Sequence, residues 1–178
     1  MYEEYHDTPV IPDDDTQADM YTYAAEFLER YGFKRYEISN FAPRGFDSMH
    51  NRRYWKQEDY MGFGPGAHSY VGGLRYSYVR DLKEYIDGVM NGGEIVDEYE
   101  KIAGLEVANE YVMLRLRLAE GISDREYLQR FGVRFSEKYR AVLDKYLPLG
   151  HILEEGDVYR LSESGMRISN AILVEMLP

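Results

Sequence analysis

The chain has 178 residues, 44% of them hydrophobic and 30% charged, with 32 Asp and Glu against 21 Lys and Arg and a formal net charge of −11. This is the composition of one folded domain or two small ones rather than of a disordered segment, and its acidity repels a phosphate backbone, which excludes nonspecific nucleic-acid binding. Cysteine is absent altogether, so the chain alone can build no disulfide, thiolate metal site or iron–sulfur cluster.

No apolar run reaches bilayer-spanning length and no signal peptide opens the sequence. A cytoplasmic location is expected, with membrane contact only peripheral. Residues 1–7 carry no period, and their abrupt start suggests a piece cut from a longer protein.

The first element is a helix. After Asp13-Asp14-Asp15, the residues Met20, Ala24, Phe27, Leu28 and Tyr31 recur at helical spacing and predict the buried face. Asp15 or a neighbour serves as N-cap, and Gly32 fits the position after the C-terminus. Capping explains the three acids with fewer assumptions than a metal site. KRYEISNFA then reads as a strand, with Tyr36, Ile38 and Asn40 on one face and Glu37, Ser39 and Phe41 on the other. Pro43-Arg44-Gly45 turns the chain. Helix, short loop, strand is an α/β step. Its polar end either lines a ligand-binding rim, as at the C-terminal edge of a barrel, or satisfies loop hydrogen bonds.

A second strand follows in LRYSYVRD, alternating Leu74, Tyr76 and Tyr78. It runs into a helix through Leu82, Tyr85, Ile86, Val89 and Met90 that ends at Gly92 and Gly93. GGEIVDEYEK reads as an acidic linker and places a domain boundary. Beyond it a helix is expected over 102–119, with Leu105, Ala108, Val112, Leu116 and Ala119 inward. Ser123 caps DREYLQRF, which Gly132 ends. Ser136 caps EKYRAVLDKYL, with Tyr139, Leu143, Tyr146 and Leu147 inward. HILEEGDVYRLS gives two short strands around Glu155-Gly156-Asp157. A last helix starts at Ser162 or Glu163 and passes through Met166, Ile168, Ile172, Leu173 and Met176. Helix, helix, hairpin, helix has a winged-helix-like outline. Its acidic hairpin argues against DNA readout and leaves protein docking as a binding role.

The residues that could carry chemistry gather in HNRRYWKQEDYMGFGPGAHSYVGG, residues 50–73, which holds the one Trp and two of the four His. GFGPGA lacks the preceding strand and following helix of a dinucleotide fingerprint, and no Gly-Lys-Ser/Thr makes it a phosphate loop. It is either a tight loop with positive φ or a place where backbone approaches a flat ligand. His50, expected on a loop, stands beside Tyr54 and Trp55. Imidazole is a common axial ligand of heme iron, aromatic rings pack on a macrocycle, and Arg52 and Arg53 can pair with propionates. A loop histidine bonded to backbone, with Trp55 closing a core, is the alternative. His50 and His68 with Asp47, Glu58 and Asp59 could also be read as a metal site, but their spacing matches no known signature. His6 and His151 are expected on the surface. No Gly-x-Ser-x-Gly elbow supports hydrolysis.

YEISNFAPRGFDSMHNRRYWKQEDYMGFGPGAHSYV resembles the second half of the HemN/HemW group of radical S-adenosylmethionine proteins: oxygen-independent coproporphyrinogen III oxidases and related heme chaperones. The resemblance runs from PDDDTQADMY to LSESGMRISNAILVEML and rests on the blocks YEISNFA, HN-x-x-YW and G-x-G-x-GAHS in this order. It implies an α/β fold, with the last βα units of a radical S-adenosylmethionine TIM-like barrel over 1–97. A mostly helical, winged-helix-like C-terminal domain would follow over 98–178. The His at the head of HNRRYW is similar to the chaperone branch, where the oxidases tend to carry Tyr. The implied function is binding and transfer of heme, to acceptors such as respiratory heme proteins. Decarboxylation of coproporphyrinogen III in porphyrin biosynthesis is the alternative.

By the same resemblance His50 ligates heme iron, Asn51 orients its segment, and Tyr54 and Trp55 flank the macrocycle. Gly64, Gly66, Ala67 and His68 would lie along a rim near S-adenosylmethionine, with His68 replacing an apolar contact of the oxidases. The family holds its 4Fe–4S cluster through a Cys-x3-Cys-x2-Cys loop that this sequence lacks. Cluster and S-adenosylmethionine chemistry then belong to a full-length protein, no catalytic residue is expected here, and the chain alone is expected to be inactive.

Overall fold

The computed structural model describes residues 11–177, and helix α1 (Asp14–Arg30) is its first element. Asp13, rather than Asp15, is the cap: its carboxylate accepts from the Thr16 N–H at 2.8 Å, with Asp14 and Asp15 in the first turn where the helix dipole favours them. The apolar face is not the packed one. Met20, Phe27 and Tyr31 are 58%, 41% and 68% exposed, while Ala18, Tyr21, Thr22, Ala25 and Leu28 are half-buried. A polar anchor explains the rotation. The Tyr21 hydroxyl donates to the Ile38 carbonyl at 2.9 Å, so the helix docks through a residue that hydrophobic spacing discounts.

The expected strand over 34–42 is instead a hairpin of β1 (Phe33–Glu37) and β2 (Asn40–Pro43), antiparallel, with Phe33 opposite Pro43 and Arg35 opposite Phe41. The chain turns at Ile38-Ser39. There the Ser39 N–H donates to the Glu37 carboxylate at 3.2 Å and the Ile38 N–H to the Arg117 carbonyl at 2.8 Å. The Ala119 N–H donates to the Tyr36 carbonyl at 3.1 Å, so residues 117–119 satisfy the other edge of β1. The mixture of helices and strands is the α/β composition expected. Among the described residues every ladder is antiparallel.

Packing divides the chain into two units. One takes in the chain up to Ser48 together with the chain from Leu116 onward, and the other is Met49–Arg115. These are packing units, distinct from the family division expected at residue 97.

The second unit holds α2 (Met49–Trp55), β3 (His68–Val71), β4 (Leu74–Tyr78), α3 (Leu82–Asn91), β5 (Val96–Lys101) and α4 (Leu105–Arg115). Strands β3, β4 and β5 form one sheet in that order. The acidic linker is therefore a strand: VDEYEK pairs with β4, Tyr99 opposite Tyr76 and Glu98 opposite Ser77. Its alternation is masked by charge on both faces. Asp81 caps α3 through the Glu84 N–H at 2.9 Å, and Gly92 ends it in the left-handed conformation. Only Tyr85 of the expected inward face is half-buried; Leu82, Ile86, Val89 and Met90 are exposed. Helix α4 is shorter than expected because the chain leaves it at Leu116 to run beside β1. Tyr111 and Val112 are its buried centre, whereas Leu105, expected inward, is exposed.

The first unit resumes with β6 (Ile122–Ser123), α5 (Asp124–Phe131), α6 (Phe135–Lys138), α7 (Arg140–Tyr146), β7 (Ile152–Glu155), β8 (Val158–Leu161), α8 (Glu163–Arg167) and α9 (Ser169–Met176). Strands β6, β8 and β7 form a small antiparallel sheet beside the helices, the winged-helix-like outline expected. Ser123 caps α5 and Gly132 ends it, as expected. Ser136 caps nothing. It lies within α6, and its N–H and hydroxyl both donate to Asp124, at 2.8 and 3.2 Å. The two long helices expected here break at Tyr139 and at Ile168. The core is aromatic: Phe135, fully buried, meets the rings of Tyr127, Tyr139 and Tyr159 at 5.6, 4.9 and 5.6 Å. Removing one such ring from water contributes on the order of 4 kcal/mol before entropic costs. No helix among the described residues is long and apolar enough to cross a membrane.

Candidate functional site

HNRRYW is helix α2, not the loop expected. A helix sets residues four apart on one face, and this sorts the four expected heme contacts into two pairs. His50 and Tyr54 form one, their rings edge-on at 4.6 Å and 89°. Asn51 and Trp55, also four apart, form the other. His50 is exposed, whereas Asn51, Tyr54 and Trp55 are half-buried. Behind His50 the aromatic contact continues: Tyr54 meets Tyr60 at 4.2 Å, and Tyr60 meets Tyr70 at 6.3 Å. Helix α2 stops where Gln57 takes a positive φ of 56° and its amide donates to Glu110 at 3.3 Å.

Tyr60 and Tyr70 were not singled out in the sequence, yet they close the segment. Each backbone N–H donates to the other's carbonyl, at 2.8 and 2.9 Å, so the Gly-rich stretch between them is a tied loop. Burial pushes the Tyr60 phenol above its ordinary pKa, with Arg75 opposing the rise. The abundance of Tyr was the available signal; the pairing of two of them ten residues apart was not.

Within the loop Gly64 and Gly66 take φ of 104° and 68°, a conformation that disfavours any side chain. The Gly64 N–H donates to the Tyr85 hydroxyl at 3.3 Å, that of Gly66 to the Val79 carbonyl at 3.0 Å and that of Ala67 to the Gly64 carbonyl at 3.2 Å. These amides are spent inside the chain, so the loop is not an open anion cradle.

His68 opens β3, exposed, opposite Ser77 of β4, which in turn stands opposite Glu98 of β5. It lines a shallow groove of about 500 Å³ with Arg75 and Glu98. Among the described residues no three His, Asp or Glu converge as metal ligands, so the alternative of a metal site from His50, His68 and nearby acids finds no support. His151 is half-buried rather than on the surface, its Nδ1 2.9 Å from the Ser164 hydroxyl. His6 lies outside the described residues.

Residues 102–168 match the HemN C-terminal domain family. Over 162 residues the chain is 32% identical to the heme chaperone HemW of Bacillus subtilis (strain 168), covering 91% of this chain and 43% of that protein. It is 28% identical over 165 residues to the heme chaperone HemW of Escherichia coli (strain K12), covering 93% of this chain and 43% of that protein. To the mitochondrial radical S-adenosyl methionine domain-containing protein 1 of Mus musculus it is 28% identical over 179 residues, covering 94% of this chain and 40% of that protein. Its fold is similar to that of coproporphyrinogen III oxidase (HemN) from Escherichia coli, a radical SAM enzyme, with a TM-score of 0.69 at 16% identity over 93% of this chain and 42% of that one. The chain spans less than half the length of the relatives it matches. The match over residues 102–168 and the similarity to HemW over 91% of the chain identify a HemN/HemW-type sequence.

Proposed function

We propose that the chain is part of a HemW-type heme chaperone in which His50 supplies an axial ligand to heme iron. The observation that carries this reading is an exposed imidazole held edge-on against Tyr54 by one turn of helix. The ring is fixed by packing, and it is open to a ligand from solvent. Tyr54 and Trp55 offer apolar surface to the macrocycle, and Asn51 offers a polar group beside it. One exposed imidazole leaves the opposite face of the iron available, which ligand exchange to an acceptor heme protein requires. Relatives named as heme chaperones support the reading.

Gly64, Gly66, Ala67 and His68 form the side that S-adenosylmethionine would approach, in a barrel segment ending near residue 97. With the amides of Gly64, Gly66 and Ala67 engaged, and the Gly64 and Ala67 carbonyls accepting from Ala67 and Tyr78, this approach is by close backbone contact. An iron–sulfur cluster does not fit the residues present, because the chain has no thiolate to offer. No radical step is assigned to it.

The test is a hemin titration of the wild-type chain and His50→Ala, followed by the Soret band. A histidine-ligated spectrum is expected for the wild type, with affinity at least tenfold weaker and an altered band in the variant. Identical spectra and affinities would remove His50 as the ligand.

A further inference from the structure

Several arginines of the first unit are held by carboxylates. Arg35 pairs with Glu163, Arg134 with Asp124 and Arg160 with Glu155. In a chain with 32 acids such pairing is the ordinary fate of a guanidinium. Arg117 and Arg167 instead hold neutral groups. Arg117 Nη2 donates to the side-chain oxygen of Asn170 at 3.1 Å, and Arg167 Nη1 to the Thr22 hydroxyl at 2.8 Å. Each guanidinium has five N–H donors in a planar fork, and these bonds occupy one nitrogen of each.

Both arginines line one groove of about 440 Å³, walled by α1, the β1–β2 turn and the start of α9. Its single carboxylate is Asp14. Ser169 lines it too and is only 4% exposed. Tyr21, Ile38 and Met166 add apolar wall, and the volume is that of small-molecule sites.

We infer that this groove binds a small organic dianion, a phosphate monoester or a compact polycarboxylate, between Arg117 and Arg167 with Ser169 at its floor. Guanidinium forks match both oxyanions in charge and geometry. The inference is independent of heme binding, since it uses none of residues 50–68.

The experiment is calorimetric titration of the 178-residue chain at low salt with glycerol 3-phosphate and, separately, citrate. Wild type is compared with Arg117→Gln, Arg167→Gln, Arg167→Lys and the control Arg140→Gln. At least one anion is expected to bind one to one, at least tenfold more weakly in Arg117→Gln and Arg167→Gln and unchanged in Arg140→Gln. Arg167→Lys, which keeps charge and loses the fork, should fall between. Binding of glycerol 3-phosphate alone assigns the site to phosphate, and of citrate alone to polycarboxylates. Arg167 is exposed, so its variants keep the fold and the readout. Failure of both anions to bind, or binding unchanged in Arg167→Gln, would overturn the inference.

Discussion

Arg75 Nη2 sits against both carboxylate oxygens of Glu110, at 2.7 and 2.8 Å, and ties strand β4 to helix α4. The same guanidinium reaches Glu100 of β5 at 3.3 Å. Glu110 is mostly buried, so losing its charge strands a partly desolvated cation. Glu110→Gln should lower stability by about 1–2 kcal/mol. Urea unfolding measures it, and an unshifted midpoint would show the pair to be inconsequential. Glu100→Gln, on the exposed side, should cost less than about 1 kcal/mol.

Asp124 is the polar pivot of the first unit. Burial alone would raise its pKa, but the Ser136 N–H, Arg134 and the Ser136 hydroxyl together hold it below the ordinary carboxylate value. A depressed pKa stabilises the fold above the unfolded value, near 4, and the benefit fades as pH falls through the folded one. Asp124→Asn should therefore be clearly less stable at pH 7, with the gap to wild type closing below about pH 4. Denaturation midpoints from pH 7 to pH 3 test this; a gap that stays constant argues against it.

At the alkaline end the buried tyrosines take over. Burial first, then the neighbouring Tyr139, pushes Tyr127 up to about 12, and burial with Glu154 does the same for Tyr159. Their stabilisation is complete below the unfolded value of 10 and is lost between pH 10 and about 12, where the unfolded chain releases protons that the folded one keeps. Stability should fall across that window by up to about 1.4 kcal/mol per pH unit for each tyrosine. Tyr127→Phe should shallow the slope, and an unchanged slope would exclude Tyr127 as its source.

Gly165 lies inside helix α8, where alanine is ordinarily better by about 1 kcal/mol. Here the sign should reverse. A methyl group would run into the His151 carbonyl and press on Leu161 at 3.3 Å. Gly165→Ala should cost about 1–3 kcal/mol, read as a lowered melting temperature. A stabilised variant would contradict the close approach of α8 to the start of β7.

What was legible in the sequence was local. Gly92 ends α3, Ser123 and Gly132 bracket α5, and Glu155-Gly156-Asp157 turns the hairpin, because caps and tight turns need only neighbouring residues. The turn at Ile38-Ser39 was hidden because the acceptor for the Ile38 N–H is Arg117, far along the chain. The packed face of α1 does not follow its hydrophobic spacing because Tyr21 is held by its hydroxyl. At the candidate site the residue types in HNRRYW were readable as chemistry. Their pairing was not, because only a helical turn sets His50 on Tyr54 and the segment's pattern reads as a loop. The Tyr60–Tyr70 closure depends on the loop returning on itself, which no periodicity records.

Strand β5 ends its sheet, pairing among the described residues with β4 alone. Asp97, Glu98, Glu100 and Lys101 are all exposed along it. A bare strand edge is a template on which a second molecule can add its own strand. On this edge a second copy would bring carboxylates against carboxylates, so neutral solution discourages the match. The charge that disguised β5 as a linker thus acts as a guard against filament growth.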